Sequence, residues 1–238
     1  MIPAKNEAKL IPRLLTSLTT QDYTKMSSTR VLVADANSTD GTPEIVMSFR
    51  DRLNVSVIRG GMPSVGRNQG AAQADTPYVL FLDADVELAD PSLVRRCVER
   101  AQSQQLQCVT TNILCKDCSW LDKAFYTVND FFQYLSYLHR PFATGMFMFF
   151  DRKKFWELGG FNEQILFAED YRLSQQVERK HFAIVRGGVY TTNRRLKKMG
   201  HLQVGWLFLW TVMNFWNEDY FLRDHKYWAT EADSSPRA

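Results

Sequence analysis

Tyr78-Val79-Leu80-Phe81-Leu82-Asp83-Ala84-Asp85 is the stretch that decides the fold class. Its first five residues form a continuous apolar run of strand length, which predicts a central parallel strand covered on both faces. The run stops at two carboxylates one residue apart. In open α/β sheets, ligands bind beyond the carboxyl ends of the strands, so Asp83 and Asp85 stand where a site is expected. While the chain stays extended, their side chains point the same way. Held together they repel, unless a hard cation such as Mg²⁺ or Mn²⁺ lies between them; such a cation takes oxygen ligands and bridges to phosphates. A solvated acidic turn is the other reading of this pattern.

Outward from this strand the chain alternates. Leu10, Ile11, Leu14, Leu15 and Leu18 recur at helical spacing, with Pro12 tolerable in a first turn. Residues 30–35 read as a buried strand, followed by the turn-rich Asn37-Ser38-Thr39-Asp40-Gly41-Thr42 and a helix through Phe49 with Pro43 in its first turn. Residues 55–58 give a second strand, and 66–74 and 91–104 give helices. Strands alternating with helices imply a doubly wound sheet, mixed but mostly parallel and flanked by helices. Further on, 120–138 reads as an amphipathic aromatic helix, 145–150 as a strand, and 152–158 as a short helix ended by Gly159-Gly160. A helix over 169–179 and a strand over 181–185 follow. The expected organisation is one domain over 1–193, an aromatic helical tail over 194–230 packed on or beside it, and a disordered end over 231–238.

The 238 residues suffice for one large α/β domain with a substantial core. A formal net charge of +3 gives no global reason to expect a nucleic-acid partner. Cys115 and Cys118 form a lone CxxC without a second pair or histidines at zinc spacing, so Cys97, Cys108, Cys115 and Cys118 read as reduced thiols in a reducing compartment. The N-terminal residues do not read as a signal peptide. The longest apolar run, 204–216, is shorter than the roughly 20 residues a membrane span needs, and its Trp and Phe content suits an interface. The expectation is a cytoplasmic protein, soluble or peripheral at the inner face of a membrane. Aromatic stripes at helical spacing, such as 120–138 and 204–228, are more often core than not; the other reading is that they receive a lipid-linked acceptor or lie on a membrane.

Three further clusters can carry chemistry. Asp35 ends a buried strand, where it could accept from a ribose hydroxyl or a base N–H; turn chemistry explains residues 38–41 without any ligand. Glu169-Asp170 opens a helix, which the helix dipole favours on its own account, and a carboxylate there could also deprotonate an acceptor hydroxyl. Arg194, Arg195, Lys197 and Lys198 form a basic cluster suited to a leaving diphosphate, an anionic membrane surface or a solvated helix face.

In order along the chain, these clusters resemble the family 2 glycosyltransferases, which have the GT-A fold. Ile2-Pro3-Ala4-Lys5-Asn6-Glu7 is similar to the family's opening motif, and Val33-Ala34-Asp35-Ala36-Asn37-Ser38-Thr39-Asp40-Gly41-Thr42 to its nucleoside-binding loop. Gly66-Arg67-Asn68-Gln69-Gly70 with Leu80-Phe81-Leu82-Asp83-Ala84-Asp85 resembles its helix-then-DxD segment. Gly159-Gly160-Phe161-Asn162-Glu163 with Glu169-Asp170 resembles its acceptor side. The resemblance implies inverting transfer of a single sugar from a UDP-, GDP- or dTDP-sugar to a glycan or lipid-linked acceptor, in the setting of cell-envelope polysaccharide. It implies Mn²⁺ or Mg²⁺ at Asp83 and Asp85, and Pro3, Ala4, Glu7, Asp35, Arg67, Asp83 and Ala84 around the donor. Asp170 would be the base, with Gly145, Gly160 and Glu169 on the acceptor side.

The chain departs from the family pattern at three places. Ala36 replaces a second acid in the nucleoside loop, which bears on base recognition. The family's first strand is expected ahead of Ile2, so that strand reads as truncated or missing. The Gln-x-x-Arg-Trp motif of processive synthases is absent, which favours single-sugar transfer. The competing readings are a nucleotidyltransferase, which would carry a Gly-rich basic loop where Pro3–Glu7 stands, and a catalytically inactive nucleotide-sugar-binding module on the same fold.

Overall fold

The computed structural model describes residues 1–223, 225 and 227. β1 (Ile2–Ala4), β2 (Val31–Asp35) and β3 (Val55–Arg59) form a parallel sheet with β2 in the middle. The helices α1 (Ile11–Thr19), α2 (Thr42–Met47) and α3 (Pro63–Ala72) each carry a proline in the first turn, where its missing N–H costs no hydrogen bond. Gly41, at φ 86°, makes the left-handed turn that leads into α2. The first strand, expected ahead of Ile2, lies at Ile2–Ala4 in register with Val33–Asp35.

β4 (Tyr78–Leu82) is followed by β5 (Glu87–Leu88), β6 (Cys108–Cys115), β7 (Phe147–Asp151) and β8 (Phe182–Thr191), in the spatial order β4-β7-β6-β8-β5. Two main-chain bonds join this sheet to the first: the Met1 nitrogen donates to Leu80 O (2.7 Å) and Leu82 N–H to Met1 O (3.0 Å). β4 is therefore central, as expected, but its full-length ladder with β7 is antiparallel. A continuous apolar run reports burial on both faces and carries no information on strand direction. β6 pairs parallel with β8 and antiparallel with β7, and β5 pairs antiparallel with β8, so the parallel character is concentrated in β1–β3.

Flanking this sheet are α4 (Leu93–Gln104), α5 (Trp120–Leu135), α6 (Arg152–Glu157) and α7 (Glu169–Ser174). Beyond β8 come α8 (Arg194–Met199), α9 (His201–Met213) and α10 (Glu218–Leu222). Alternate residues divide the core: Leu82, Phe147 and Phe149 pack with α1, α2 and α4, whereas Phe81, Met148 and Phe150 pack with α3, α6 and α7.

Several expectations need correction. β6 has no counterpart in the apolar pattern, because Thr110 and Thr111 interrupt it; both are buried, and their hydroxyls donate to Phe147 O (2.9 Å) and Val185 O (3.0 Å). The strand expected over 181–185 is β8, which runs on to Thr191 through Gly187-Gly188, where the ladder with β6 is irregular. The helix expected over 169–179 ends at Ser174. Cys115 and Cys118 are joined as a disulfide, with Cα atoms 5.8 Å apart, and only Cys97 and Cys108 are free thiols. Three residues of separation at the end of β6 suffice to bring the pair within bonding range, so this pair gives no support to a reducing compartment. No helix among the described residues is long and apolar enough to cross a membrane. The expected disordered end, 231–238, and the last residues of the tail lie outside the described residues.

Candidate active site

The site is organised around one buried guanidinium. Gly66 lets α3 approach the carboxyl ends of β1 and β2, since a Cβ there would lie 3.1 Å from Ala34 Cβ. The next residue, Arg67, is 2% exposed. Its Nη2 donates to Asp83 Oδ1 (2.6 Å), just past β4, and its Nη1 to Glu169 Oε1 (2.5 Å), at the start of α7. Burial alone would depress the pKa of Arg67, but the charges of Asp83, Glu169 and Asp170 outweigh it and the net shift is upward. Gly145 closes the arrangement: a Cβ there would stand 2.5 Å from Arg67 Nη2 and 3.3 Å from Asp170 Oδ2.

Asp170 is held by main-chain donors. Its Oδ2 accepts from Gly145 N–H and its Oδ1 from Tyr171 N–H (2.7 Å). Ala168, at φ 59°, supplies the left-handed step that begins α7. The carboxyls of Glu169 and Asp170 are both shifted upward, chiefly by burial, against the opposing pull of Arg67. A buried carboxylate with raised proton affinity is what a general base working near neutral pH requires. On the outer side of Glu169 lies a recess of about 370 Å³ lined in part by Gly160, Asn162, Ile165 and Arg172. Gly160 (φ 67°) sits in a turn that Asn68 fastens to α3, accepting from Phe161 N–H (3.0 Å) and donating to Phe161 O (2.8 Å).

Pro3, Ala4 and Asp35 come together at the end of the first sheet, where Pro3 pairs with Ala34 and Ala4 with Asp35. Asp35 Oδ2 accepts from Ser38 N–H (3.0 Å), whereas Oδ1 is buried with no partner. An orphaned buried acceptor carries a desolvation cost that a donor on a ligand would relieve. The neighbouring loops are zipped to each other by Thr39 N–H to Asn6 Oδ1 (2.9 Å), Glu7 N–H to Thr42 Oγ1 (2.9 Å) and Ala8 N–H to Asp40 Oδ2 (3.0 Å). Ser38, Asp40 and Thr42 are thus occupied with the turn, whereas Asp35 Oδ1 is not.

The chain turns directly after Leu82, so Asp83 and Asp85 do not lie side by side on an extended strand. Asp83 faces Arg67, and Asp85 faces Arg194, whose Nη2 lies 3.1 Å from Asp85 Oδ2. Arg194 also grips Glu7, at 2.7 and 3.1 Å. The Asp85 carboxyl is pushed up to about 6 by burial and by the charge of Asp83, with Arg194 opposing and Glu7 adding to the rise. Its side chain keeps 22% exposure, so it remains open to a ligand. Among the described residues no group of three or more His, Cys, Asp or Glu is placed to hold a metal ion. The donor chemistry nevertheless fits Mn²⁺ or Mg²⁺: two hard carboxylates, with a third, Glu7, sharing Arg194 with Asp85. Ala84, between them, is buried and contributes its backbone only.

Arg194 belongs to the sequence's basic cluster, but its pairing with Glu7, 187 residues away, has no local signal. The same holds for Arg67 and Glu169, 102 residues apart. Arg195 and Tyr227 also meet, with the guanidinium 3.9 Å from the ring centroid; nothing in the residue pattern joins them.

A sequence profile described as Glycosyl transferase family 2 matches residues 1–159. Among curated proteins, poly(ribitol-phosphate) beta-N-acetylglucosaminyltransferase TarS of Staphylococcus aureus is 39% identical over 89 residues, which is 36% of this chain and 15% of that protein. Validoxylamine A glucosyltransferase of Streptomyces hygroscopicus subsp. jinggangensis is 37% identical over 99 residues, 40% of this chain and 23% of that one. The matched segments therefore cover less than a quarter of the length of these relatives. Among solved structures, S. aureus TarS 1-349 in complex with UDP-GlcNAc superposes with a TM-score of 0.63 at 21% identity, covering 81% of this chain and 57% of that one. The mannosyltransferase PcManGT from Pyrobaculum calidifontis in complex with GDP-Man and Mn²⁺ gives 0.65 at 21% identity, covering 87% and 62%. At that identity the likeness speaks for the fold, which is GT-A.

Proposed function

We infer the function from one premise: the chain belongs to glycosyl transferase family 2. Its activity is sugar transfer from a nucleotide-sugar donor. We take this further, to an inverting, metal-dependent transfer of a single sugar onto an acceptor hydroxyl. The observation that carries the reading is the meeting of the strand-end carboxylate Asp83 and the helix-start pair Glu169-Asp170 on one buried guanidinium, Arg67. Such a link fixes donor and acceptor sides of a site at a set separation, which is the positioning a displacement needs.

In this mechanism Pro3, Ala4 and the unpartnered Asp35 Oδ1 receive the nucleoside. Asp83 and Asp85 would hold Mn²⁺ or Mg²⁺, which would offset the charge of the leaving diphosphate. Asp170 Oδ accepts the acceptor's hydroxyl proton as the oxygen attacks the anomeric carbon. The new C–O bond forms on the face opposite the nucleotide, the glycosyl–phosphate bond breaks, and the nucleoside diphosphate leaves with its electron pair. Arg194, freed from Asp85 by the incoming ligand, can move onto the departing phosphate. Glu169 holds Arg67 and takes no proton from the substrate.

The acceptor in this reading is a glycan or a lipid-linked saccharide of the cell envelope, and the lipid-linked form brings the protein to the inner face of a membrane. TarS is named for poly(ribitol-phosphate) and the second relative for validoxylamine A, so the relatives leave the acceptor class open. The test is nucleotide release and binding across UDP-, GDP- and dTDP-sugars, with Mn²⁺, with Mg²⁺ and with chelator. One donor class is expected to bind and to turn over only with metal. Binding of no nucleotide sugar, with or without Mn²⁺, would overturn the assignment.

A further inference from the structure

α5 is built inside out. The residues it buries are polar or carry a polar tip: Asp122, Tyr126 and Gln133, the last fully buried. Each makes at least one hydrogen bond to the protein side, although Gln133 Oε1 is buried without a partner. Gln133 Nε2 donates to Thr111 O (3.1 Å), Tyr126 O–H to Thr192 O (3.1 Å), and Asp122 accepts from Ser119, Asn193 and His201. Asp130 likewise turns inward, accepting from Ile113 N–H (3.0 Å) and Asn112 Nδ2 (3.1 Å). The helix is thus fastened by hydrogen bonds. Its apolar stripe, Leu121, Val128, Phe131, Phe132, Leu135 and on to Leu138, faces outward at helical spacing.

α9 does the same. It buries only Val204 and Thr211, and it presents Leu202 (90% exposed), Trp206, Leu209, Met213 and then Trp216 on one side. The two helices meet through Phe125, whose ring lies 6.2 Å from Phe208, opposite Gly205. Their outward faces make one apolar surface far beyond the scattered single residues that a soluble protein exposes.

The charge distribution selects what covers this surface. Between residues 120 and 140 the only acids are Asp122 and Asp130, both turned inward, and between 194 and 215 there is no acid. The outward charges are basic: Lys123 and Arg140 on the α5 side, Lys197 at the foot of α9. An apolar face rich in Trp and Phe and rimmed by these cations, with exposed acids only at its ends in sequence (Asp117 before α5, Glu218 and Asp219 after Trp216), matches a bilayer interface carrying anionic lipid. A second copy of the same face would bring like charges together.

We propose that α5 and α9 form a monotopic docking face that seats the protein on an anionic bilayer, and that the acceptor is a hydroxyl of a membrane-resident amphiphile. The face adjoins the catalytic carboxylates. Phe208 stacks on Phe167 at 6.3 Å, two residues before Glu169, and Asp122 holds Asn193 (2.7 Å), next to Arg194 on Asp85. An acceptor seated in the facing leaflet would lie on the side of the molecule from which these contacts lead to the α7 and Asp85 carboxylates. The acceptor class rests on the glycosyltransferase reading; the docking itself does not.

The experiment is co-sedimentation of the chain with vesicles of phosphatidylcholine alone and with added phosphatidylglycerol, alongside titration of the nucleotide-sugar donor in solution. Wild type is expected to bind the anionic vesicles, more weakly as salt rises, with a blue shift of its tryptophan fluorescence. F131S/W206S/L209S, all at exposed positions, is expected to lower partitioning by at least about tenfold while leaving donor affinity unchanged. K123E/K197E is expected to remove most of the preference for anionic lipid and provides a second route if the triple variant folds poorly. Absence of wild-type binding to the anionic vesicles, or equal binding by both variants, would overturn the proposal. So would a salt-insensitive dimer formed through this face with no vesicle binding, because the occupant would then be a second copy. Loss of donor binding, by contrast, would strike the glycosyltransferase reading and leave the docking face untouched.

Discussion

Replacing Arg67 by Met probes the centre of the structure. The guanidinium is 2% exposed and bonded to Asp83 at 2.6 Å and Glu169 at 2.5 Å, with Asp170 also in its field. Methionine fills most of the volume but leaves buried carboxylates without a counter-charge. Removing one partner of such a buried group costs about 3–5 kcal/mol. For a domain of this size that corresponds to a fall in Tm of roughly 6–20 °C, at about 2–4 °C per kcal/mol. The loss should depend on pH. The carboxyls of Glu169 and Asp170 are already raised above their unfolded values, and loss of the cation raises them further. A group with a raised folded pKa contributes its full share to stability below the unfolded pKa and loses that share as pH rises through the folded one. R67M should therefore lie nearest to wild type at pH 4–5 and fall progressively behind toward neutral pH. Urea unfolding of both proteins at several pH values reads this out. A deficit that is negligible, or that is the same at pH 4.5 and 7.5, would refute the view that Arg67 neutralises these acids.

G145A places a methyl 2.5 Å from Arg67 Nη2 and should cost about 1–3 kcal/mol through overpacking; by shifting Arg67 and Asp170 it should lower transfer on the order of a hundredfold. D35A removes the carboxylate whose Oδ1 has no partner in the protein; donor Kd should rise roughly 10- to 100-fold, the worth of a hydrogen bond to a charged group, with little loss of Tm. D122A breaks the junction between α5 and α9. Hydrogen bonds from Asn193, Ser119 and His201 outweigh burial and hold this carboxyl down at about 2. A depressed folded pKa contributes stability above the unfolded value, lost as pH falls through the folded one. The gap between wild type and D122A should thus persist from pH 7 to about 4 and close toward pH 2, by urea unfolding.

Much of this architecture is legible in the residues. Prolines mark the starts of α1, α2 and α3, and Asp35 at the end of β2 and Asp83 just past β4 mark the mouth of the site. What the residues leave hidden has physical causes. A strand's apolar run does not encode its direction, so β4 reads as parallel although its long ladder is antiparallel. β6 is invisible because its buried threonines spend their hydroxyls on neighbouring strands. The partners of Arg67 and Arg194 lie 102 and 187 residues away, beyond any local pattern. The CxxC pair gives no sign of its disulfide, since the same spacing serves reduced thiols. α5 shows a clean amphipathic stripe, which by itself cannot tell core from surface. Only the inward hydrogen bonds of Gln133 and Asp130 beneath it reveal which side faces in.

The central claim is that Asp170 is the base of a sugar transfer whose donor is held elsewhere in the site. The most direct test compares D170N with wild type, measuring nucleotide-sugar Kd and single-turnover transfer on the same preparations. The account predicts an unchanged donor Kd within about twofold and a loss of transfer of at least about a hundredfold. Transfer that survives in D170N at a comparable rate would contradict it.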